Sequence, residues 1–265
     1  MVIDNFTADY KYIKGVNGNI LKKHKYSDRV LPFSVAVTVE KGVFFVEIEG
    51  VRYNIFENET IFIPSFVPHS VGMDDDGVVT YAHFVCSYLN VDILSFSKVD
   101  HLIIKNNDIC NLIKEMNNSA SSGGLIGKIG VDKSISEIIL TLLRQQVLTL
   151  ELTTVDLWLF KVLNFIKQNT NQAITVDEVI ALSGYSKTAF HQMFTKTMNL
   201  SPHQYIEQER LKKAIFSLSE GKKVKEAAKS AGYSDEIYFS KKFKKVFGIT
   251  PSKYRKNISE QWRDI

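Results

Sequence analysis

Apolar positions follow two different rhythms along this chain. In the first hundred residues they cluster in short runs: Phe33 to Glu40, Val43 to Glu49 and Thr60 to Pro64, rich in Val, Ile and Phe and broken by Gly42, Gly50 and Asn58. Such runs, spaced about ten residues apart, predict strands of an all-β barrel or sandwich. Asp74-Asp75-Asp76-Gly77 reads as a solvated turn before a further strand from Val78 to Val85. Alternation along that strand sets Val79, Tyr81, His83 and Val85 on one face, opposite Thr80, Ala82 and Phe84.

From Asn107 the period lengthens. Ile109, Leu112, Ile113 and Met116 fall at helical spacing, as do Ile135, Ile138, Ile139, Leu142 and Leu143. Between them, Ser119 to Gly124 reads as a flexible connection. Ile135 and Ile139 are expected to pack within the chain. Leu142, Leu143, Val147, Leu148 and Leu150 carry the apolar surface almost around the helix, and a two-fold helix pair would bury the excess. Glu151 to Thr154 is a plausible hinge.

The remainder is helical and contains an internal repeat. Gly184-Tyr185-Ser186 recurs as Gly232-Tyr233-Ser234, and Val176 and Glu178 as Val224 and Glu226. Phe190, Phe194, Met198, Leu200, Pro202 and Tyr205 then recur as Phe239, Phe243, Phe247, Ile249, Pro251 and Tyr254, with one residue inserted after the turn. In the first copy Thr175 and Glu178 form a capping box, and the helix ends at Ser183-Gly184. Ser186 caps a second helix that buries Phe190, Met193 and Phe194 and turns Lys187, Thr188, His191, Gln192 and Thr195 outward. Ser201-Pro202 starts the next helix. The second copy repeats this with Ser234, Phe239, Phe243 and Thr250-Pro251. Two short helices joined by a Gly turn, the second with a polar face, describe a helix-turn-helix whose second helix fits the major groove of double-stranded DNA.

Charge supports that reading. Residues 1–154 carry 14 Lys/Arg against 18 Asp/Glu, whereas residues 155–265 carry 19 against 11, a net +8 within an overall +4. A basic half on an acidic half fits nucleic-acid binding better than a small-molecule enzyme. The chain of 265 residues is otherwise ordinary globular composition, with no membrane-spanning run and no signal-peptide pattern at its N-terminus, and a cytoplasmic location is expected. Cys86 and Cys110 do not make a disulfide framework and read as small buried hydrophobes. No P-loop, dinucleotide fingerprint or Gly-x-Ser-x-Gly is present, so no enzyme and no cofactor is expected.

The stretch Gly232-Tyr233-Ser234, Tyr238-Phe239-Ser240-Lys241-Lys242-Phe243-Lys244-Lys245, Gly248-Ile249-Thr250-Pro251 and Tyr254-Arg255 resembles the C-terminal signature of AraC/XylS transcription regulators. The resemblance covers about residues 156–256. It departs at Ile180, where the family usually has a small residue at the crossing of the first motif. Residues 42–49, Ile61-Phe62-Ile63-Pro64, Pro68-His69-Ser70 and Tyr81-Ala82-His83-Phe84 more weakly resemble the family's cupin-like sensor domain. The chain lacks the His-x-His of metal-binding cupins, so His69 and His83 read as pocket-wall residues and no metal is expected.

The expected architecture is therefore multi-domain α and β: a cupin-like β sensor domain (1–105), a helical dimerisation segment and linker (106–151), and an all-α domain with two helix-turn-helix motifs (155–258). The resemblance implies a transcription activator, a homodimer, RNA polymerase as a partner, and a small-molecule effector such as a sugar. Candidate DNA contacts are Lys187, Thr188, His191, Gln192 and Lys196 in the first motif, and Glu236, Ile237, Tyr238, Lys241, Lys242 and Lys245 in the second. Candidate effector contacts are Arg29, His69, Tyr81 and His83. The linking helix from Pro202 to Ser219 spans roughly 25 Å, enough to set two recognition helices about one turn of DNA apart. A barrel serving only as a dimerisation or protein-interaction module, and more distantly a cupin-type enzyme, are the competing expectations.

Overall fold

The computed structural model describes residues 8–88, 91–96, 101–148, 157–172, 174–198 and 200–261. The chain divides into two compact units, Met1–Glu151 and Leu152–Ile265.

Two antiparallel sheets build the first unit. One runs in the order β1 (Ala8–Leu21), β8 (Gly77–Tyr88), β3 (Ser34–Lys41), β6 (Glu59–Ile63), β10 (Leu102–Lys105), with the short β9 (Val91–Asp92) beside β8. The other runs β2 (His24–Arg29), β7 (His69–Met73), β4 (Phe44–Ile48), β5 (Val51–Ile55). The four runs expected as strands became β3, β4, β6 and β8. The period-two pattern fails for β1, the longest strand, because its register slips between Tyr12 and Lys14 and again between Val16 and Asn19. Each slip reverses which side chains face inward.

The described residues of the unit form apolar cores on both faces of the first sheet. Val35, Val37, Val39, Ile61, Ile63, Val79 and Tyr81 meet Phe44, Val46, Ile48 and Val71 between the sheets. Ala36, Phe62, Ala82, Phe84 and Cys86, from the opposite face, pack under α1 (Asn107–Ser122) and α2 (Gly124–Arg144). The strand β8 thus feeds both cores by alternation, as its sequence predicts. Two acids of the 74–76 turn meet cations: Asp74 pairs with Arg52, and Asp76 with Lys22 at 2.7 Å.

The helical pair departs from expectation at both ends. Ser119 to Ser122 continue α1, and only Gly123 separates the two helices. Close approach explains the tight corner: a Cβ on Gly127 would lie 2.6 Å from the Ser119 carbonyl oxygen, and one on Gly130 2.4 Å from its hydroxyl. At the far end α2 stops at Arg144 instead of running to 150. Gln146 turns left-handed, with φ 56°. Its N–H then donates to the Leu143 carbonyl and that of Val147 to the Leu142 carbonyl, both at 3.0 Å. This Schellman closure folds Val147 and Leu148 back onto the core. Leu142 and Leu148, expected on a dimer surface, are buried within the chain, and Leu143 packs partly against the same core. Leu150 lies outside the described residues. Cys86 is buried, but Cys110 is only half-buried.

The second unit is all helical in its described residues: α3 (Leu157–Asn169), α4 (Val176–Ser183), α5 (Lys187–Met198), α6 (Pro202–Ser219), α7 (Val224–Ser230), α8 (Glu236–Phe247) and α9 (Pro251–Gln261). The repeat in sequence is a repeat in packing. Phe190 lies 5.4 Å from Phe194, which lies 5.6 Å from Tyr205; Phe239 lies 5.6 Å from Phe243, which lies 5.8 Å from Tyr254. All six rings are buried. Trp158 closes the first cluster edge-on to Tyr185 and Phe190, as a core residue. No helix among the described residues is long and apolar enough to cross a membrane.

Candidate nucleic-acid interface and barrel interior

Each motif begins with caps that sequence spacing dictates. Thr175 and Glu178 satisfy each other's backbone N–H groups, and Gly184 closes α4 at φ 74°. Ser201 and Gln204 do the same at α6, with Pro202 in its first turn. In the second motif Glu226 reaches back to the Lys223 N–H at 2.9 Å. The cap of α8 is not Ser234, as the repeat suggested, but Asp235, which accepts from the N–H groups of Ile237 and Tyr238 at 2.7 and 3.1 Å. The inserted residue takes over the cap because its carboxylate reaches two orphan donors.

Gly232 is needed twice over. Its φ of 79° is left-handed, and an added Cβ would sit 2.6 Å from the Thr170 carbonyl oxygen at the end of α3. Gly184 shares the left-handed turn but faces open space. The motifs also differ at their first helices: Ala227 and Ala228 are both buried in α7, whereas the larger Ile180 of α4 stays half-exposed beside buried Val179.

The outward faces come out largely as expected. In α5, Lys187, Thr188, Gln192 and Lys196 are exposed. His191 is half-buried, edge-on to Phe190 at 6.0 Å. Lys187 reaches Asp177 of α4 at 3.2 Å on the open surface. In α8, Glu236, Ile237, Tyr238, Lys241, Lys244 and Lys245 are exposed, and Ile237 is the most exposed large apolar side chain among the described residues of this unit. Lys242 departs from the expected set. It lies over the Tyr238 ring at 5.2 Å and 3.8 Å from Glu207 of α6, which also accepts from the Tyr233 hydroxyl at 3.1 Å. This cation fastens α8 to α6, because the i+4 step from Tyr238 carries it to the inner edge of the helix.

Within the first unit, Arg29, His69, Tyr81 and His83 share the space between the two sheets. Arg29 and His69 are cross-strand partners of β2 and β7. His83 stacks on Phe33 at 5.0 Å and lies 5.3 Å from the Tyr81 ring. All four side chains are buried. Burial, relieved among the described residues by Tyr26 and Tyr81, pulls the Arg29 guanidinium down to about 10. Burial and the charge of Arg29 hold the His69 imidazole down at about 3. His83 is held well below its ordinary value by burial, then by Arg29, Lys14 and His69. Tyr81 is pushed up to about 12, chiefly by burial. Arg29 Nε, His69 Nε2 and the Tyr81 hydroxyl are all buried with no hydrogen-bond partner among the described residues.

Sequence reading missed Lys14, which the bulge in β1 brings opposite His83. No periodicity signals it, since a bulge moves a side chain across the sheet without marking the sequence. Among the described residues no group of three His, Cys, Asp or Glu is placed to hold a metal ion.

Residues 179–257 match the family described as a helix-turn-helix domain. The Transposon Tn10 TetD protein of Escherichia coli is 35% identical over 97 residues, covering 36% of this chain and 70% of that protein. The chain belongs to the AraC family of transcription regulators. The Msm operon regulatory protein of Streptococcus mutans is 34% identical over 99 residues, which are 37% of this chain and 36% of that protein. The match thus spans little more than a third of that relative. Across 96% of the AraC-family chain, the fold is similar to apo ToxT K231A from Vibrio cholerae, with a TM-score of 0.61 at 15% identity and 98% of that chain covered. The fold therefore joins a cupin-like antiparallel β domain to a helical domain with two helix-turn-helix motifs.

Proposed function

We propose that this AraC-family chain is a sequence-specific activator whose DNA binding is gated by a small molecule held between the two sheets of its first unit. The duplicated motif carries the DNA-binding half of the reading: each copy buries its phenylalanines and leaves the start of its second helix exposed. In α5, Gln192 suits a bidentate contact to adenine, with Thr188 and His191 beside it. In α8, Ile237 suits a thymine methyl and Lys241 a guanine, with Glu236 and Tyr238 flanking. Lys187, Lys196 and Lys245 serve the phosphates, and Lys242 positions α8 through Glu207.

The gating half rests on the four buried polar residues Arg29, His69, Tyr81 and His83, three of which keep a buried polar atom without a hydrogen-bond partner among the described residues. One neighbour of the same fold is ToxT with a bound unsaturated fatty acid, which supports a small-molecule effector for this type of fold. An activator also engages RNA polymerase, and homodimerisation falls to the apolar side chains that α2 leaves exposed, Leu125, Ile126, Ile129 and Leu140. No catalytic role is assigned to any residue.

Two substitution sets test the reading. Gln192→Ala and Lys241→Ala should each lose about 1–3 kcal/mol of binding at one base position, read by mobility shift on single-base operator variants. Equal weakening on every sequence would make them phosphate contacts. Tyr81→Phe and His83→Ala should remove the effector response of transcription and leave effector-free DNA binding intact. An unchanged response in both variants would refute the gate.

A further inference from the structure

The space between the sheets holds a positive charge that no acid among the described residues meets. Among the described residues, the groups whose charges reach Arg29 are Tyr26 and Tyr81, both neutral. Those that reach His83 are Arg29, Lys14 and His69. The acids that sequence or strand pairing brings nearest are exposed or otherwise engaged. Asp28 is exposed, Glu47 pairs with Lys25, and Asp92 accepts from Ser34, Ser65 and Leu94. A guanidinium buried without a counter-charge is among the most unfavourable arrangements a fold can retain, and a bound anion removes that cost.

His69 adds a second requirement. Its Nδ1 lies 2.8 Å from the Val67 carbonyl oxygen, which can only accept, so the proton sits on Nδ1. The other nitrogen, Nε2, therefore presents a bare lone pair, buried and unpartnered although Arg29 is its cross-strand neighbour. A ligand that brought only oxyanions would leave that lone pair unmet. The Tyr81 hydroxyl, also unpartnered, can donate to an oxyanion. Around these groups the walls are Leu31, Phe33, Val37, Val46 and Val71.

Resting on the effector reading above, we infer that the site takes a hydroxy acid with an apolar body. The carboxylate meets Arg29 and the Tyr81 hydroxyl, the ligand's own hydroxyl donates to His69 Nε2, and the hydrocarbon part lies against the aliphatic walls. A neutral sugar satisfies the lone pair but leaves the guanidinium uncompensated. A plain carboxylic acid does the reverse.

The test uses the full-length chain and two matched series: mandelate, phenylacetate and 1-phenyl-1,2-ethanediol, then 3-hydroxyoctanoate, octanoate and 1,3-octanediol. Glucose and ribose serve as neutral sugars. Ligands that bind only the folded protein raise its melting temperature by mass action. In at least one series the hydroxy acid should give the largest rise, the plain acid less and the diol least. Arg29→Met should erase the advantage of acids over diols. His69→Asn, which keeps an N–H for Val67 and removes the lone pair, should erase the advantage of the hydroxy acid over the plain acid.

One readout needs no ligand. Arg29→Met should raise the melting temperature of the free protein by about 3 °C or more, because an unmet charge is removed. A fall would show Arg29 to be a structural residue and overturn the inference. So would the absence of stabilisation by every probe of both series. Stabilisation by a sugar or diol that Arg29→Met leaves unchanged would overturn the hydroxy-acid assignment alone and keep the barrel as an effector site. The effector reading itself fails only if Tyr81→Phe and His83→Ala leave the transcriptional response unchanged.

Discussion

Acid should loosen the first unit well before its carboxylates titrate, and His69 sets the size of the effect. Burial, then the charge of Arg29, lowers its imidazole in the folded state to about 3, against an ordinary value of 6.5. The folded pKa is depressed, so between those values the unfolded chain binds a proton that the folded chain refuses. Stability from this residue is therefore complete above pH 6.5 and is lost as pH falls toward 3. At pH 5 the unfolded state gains about 2 kcal/mol from protonating this one side chain, while at pH 7.5 it gains almost nothing. For a unit of this size that corresponds to a fall of about 4–8 °C in melting temperature. His83, also held down by burial and Arg29, acts in the same direction. Calorimetry of the full chain at pH 7.5, 6.5, 5.5 and 5.0 gives the slope. The NMR signal of the His69 ring should not titrate between pH 8 and 5 in the folded protein. His69→Asn should flatten the slope by about the amount assigned to it. A folded-state midpoint near 6.5 for His69, or a melting temperature indifferent to pH over this range, would refute the reasoning.

Three further outcomes follow from the same structure. DNA affinity should fall with salt along a log–log slope of about −3, the mark of phosphate contacts by Lys187, Lys196 and Lys245. Lys245→Ala should reduce that slope by about 1 and Lys242→Ala should leave it nearly unchanged, a reversal of that order sinking the assignment of Lys242 to Glu207. Gly184→Ala should destabilise the second unit by about 1 kcal/mol, through its left-handed turn alone, and Gly232→Ala by clearly more, because its Cβ also meets a backbone carbonyl; equal losses in chemical denaturation would contradict the packing. Ile126→Asp together with Ile129→Asp should give a folded monomer in sedimentation, and a dimer that survives both changes would place the interface elsewhere on the chain.

Much of the second unit is legible in its residues. Caps, turn glycines and buried phenylalanines act over a few residues, so the spacing of Thr175 to Glu178, Gly184 to Phe190 or Ser201 to Gln204 already carries the physics that forms each helix. Duplication then supplies an internal check, and the +8 charge names the kind of partner. Even there, one inserted residue moved the cap of α8 from Ser234 to Asp235, because two side chains competed for the same N–H groups. In the first unit the strands that alternate cleanly, such as β8, are legible for the same local reason, and so is the face on which Tyr81 and His83 stand.

What the sequence alone could not decide is where that face leads. The bulge that turns Lys14 inward, the Schellman closure that buries Leu148, and the packing of Gly127 on Ser119 each depend on a partner distant in the chain or on a left-handed residue without a glycine. The electrostatics of the barrel interior are of this kind as well. Arg29 in a sequence is most often a solvated surface charge; only the pairing of β2 with β7, and the closing of one sheet over the other, bury it beside His69 with no acid in reach among the described residues. Local spacing determines which helices and strands form, because their hydrogen bonds close within a few residues. Tertiary structure decides which charges lose their water, because desolvation depends on everything packed around them.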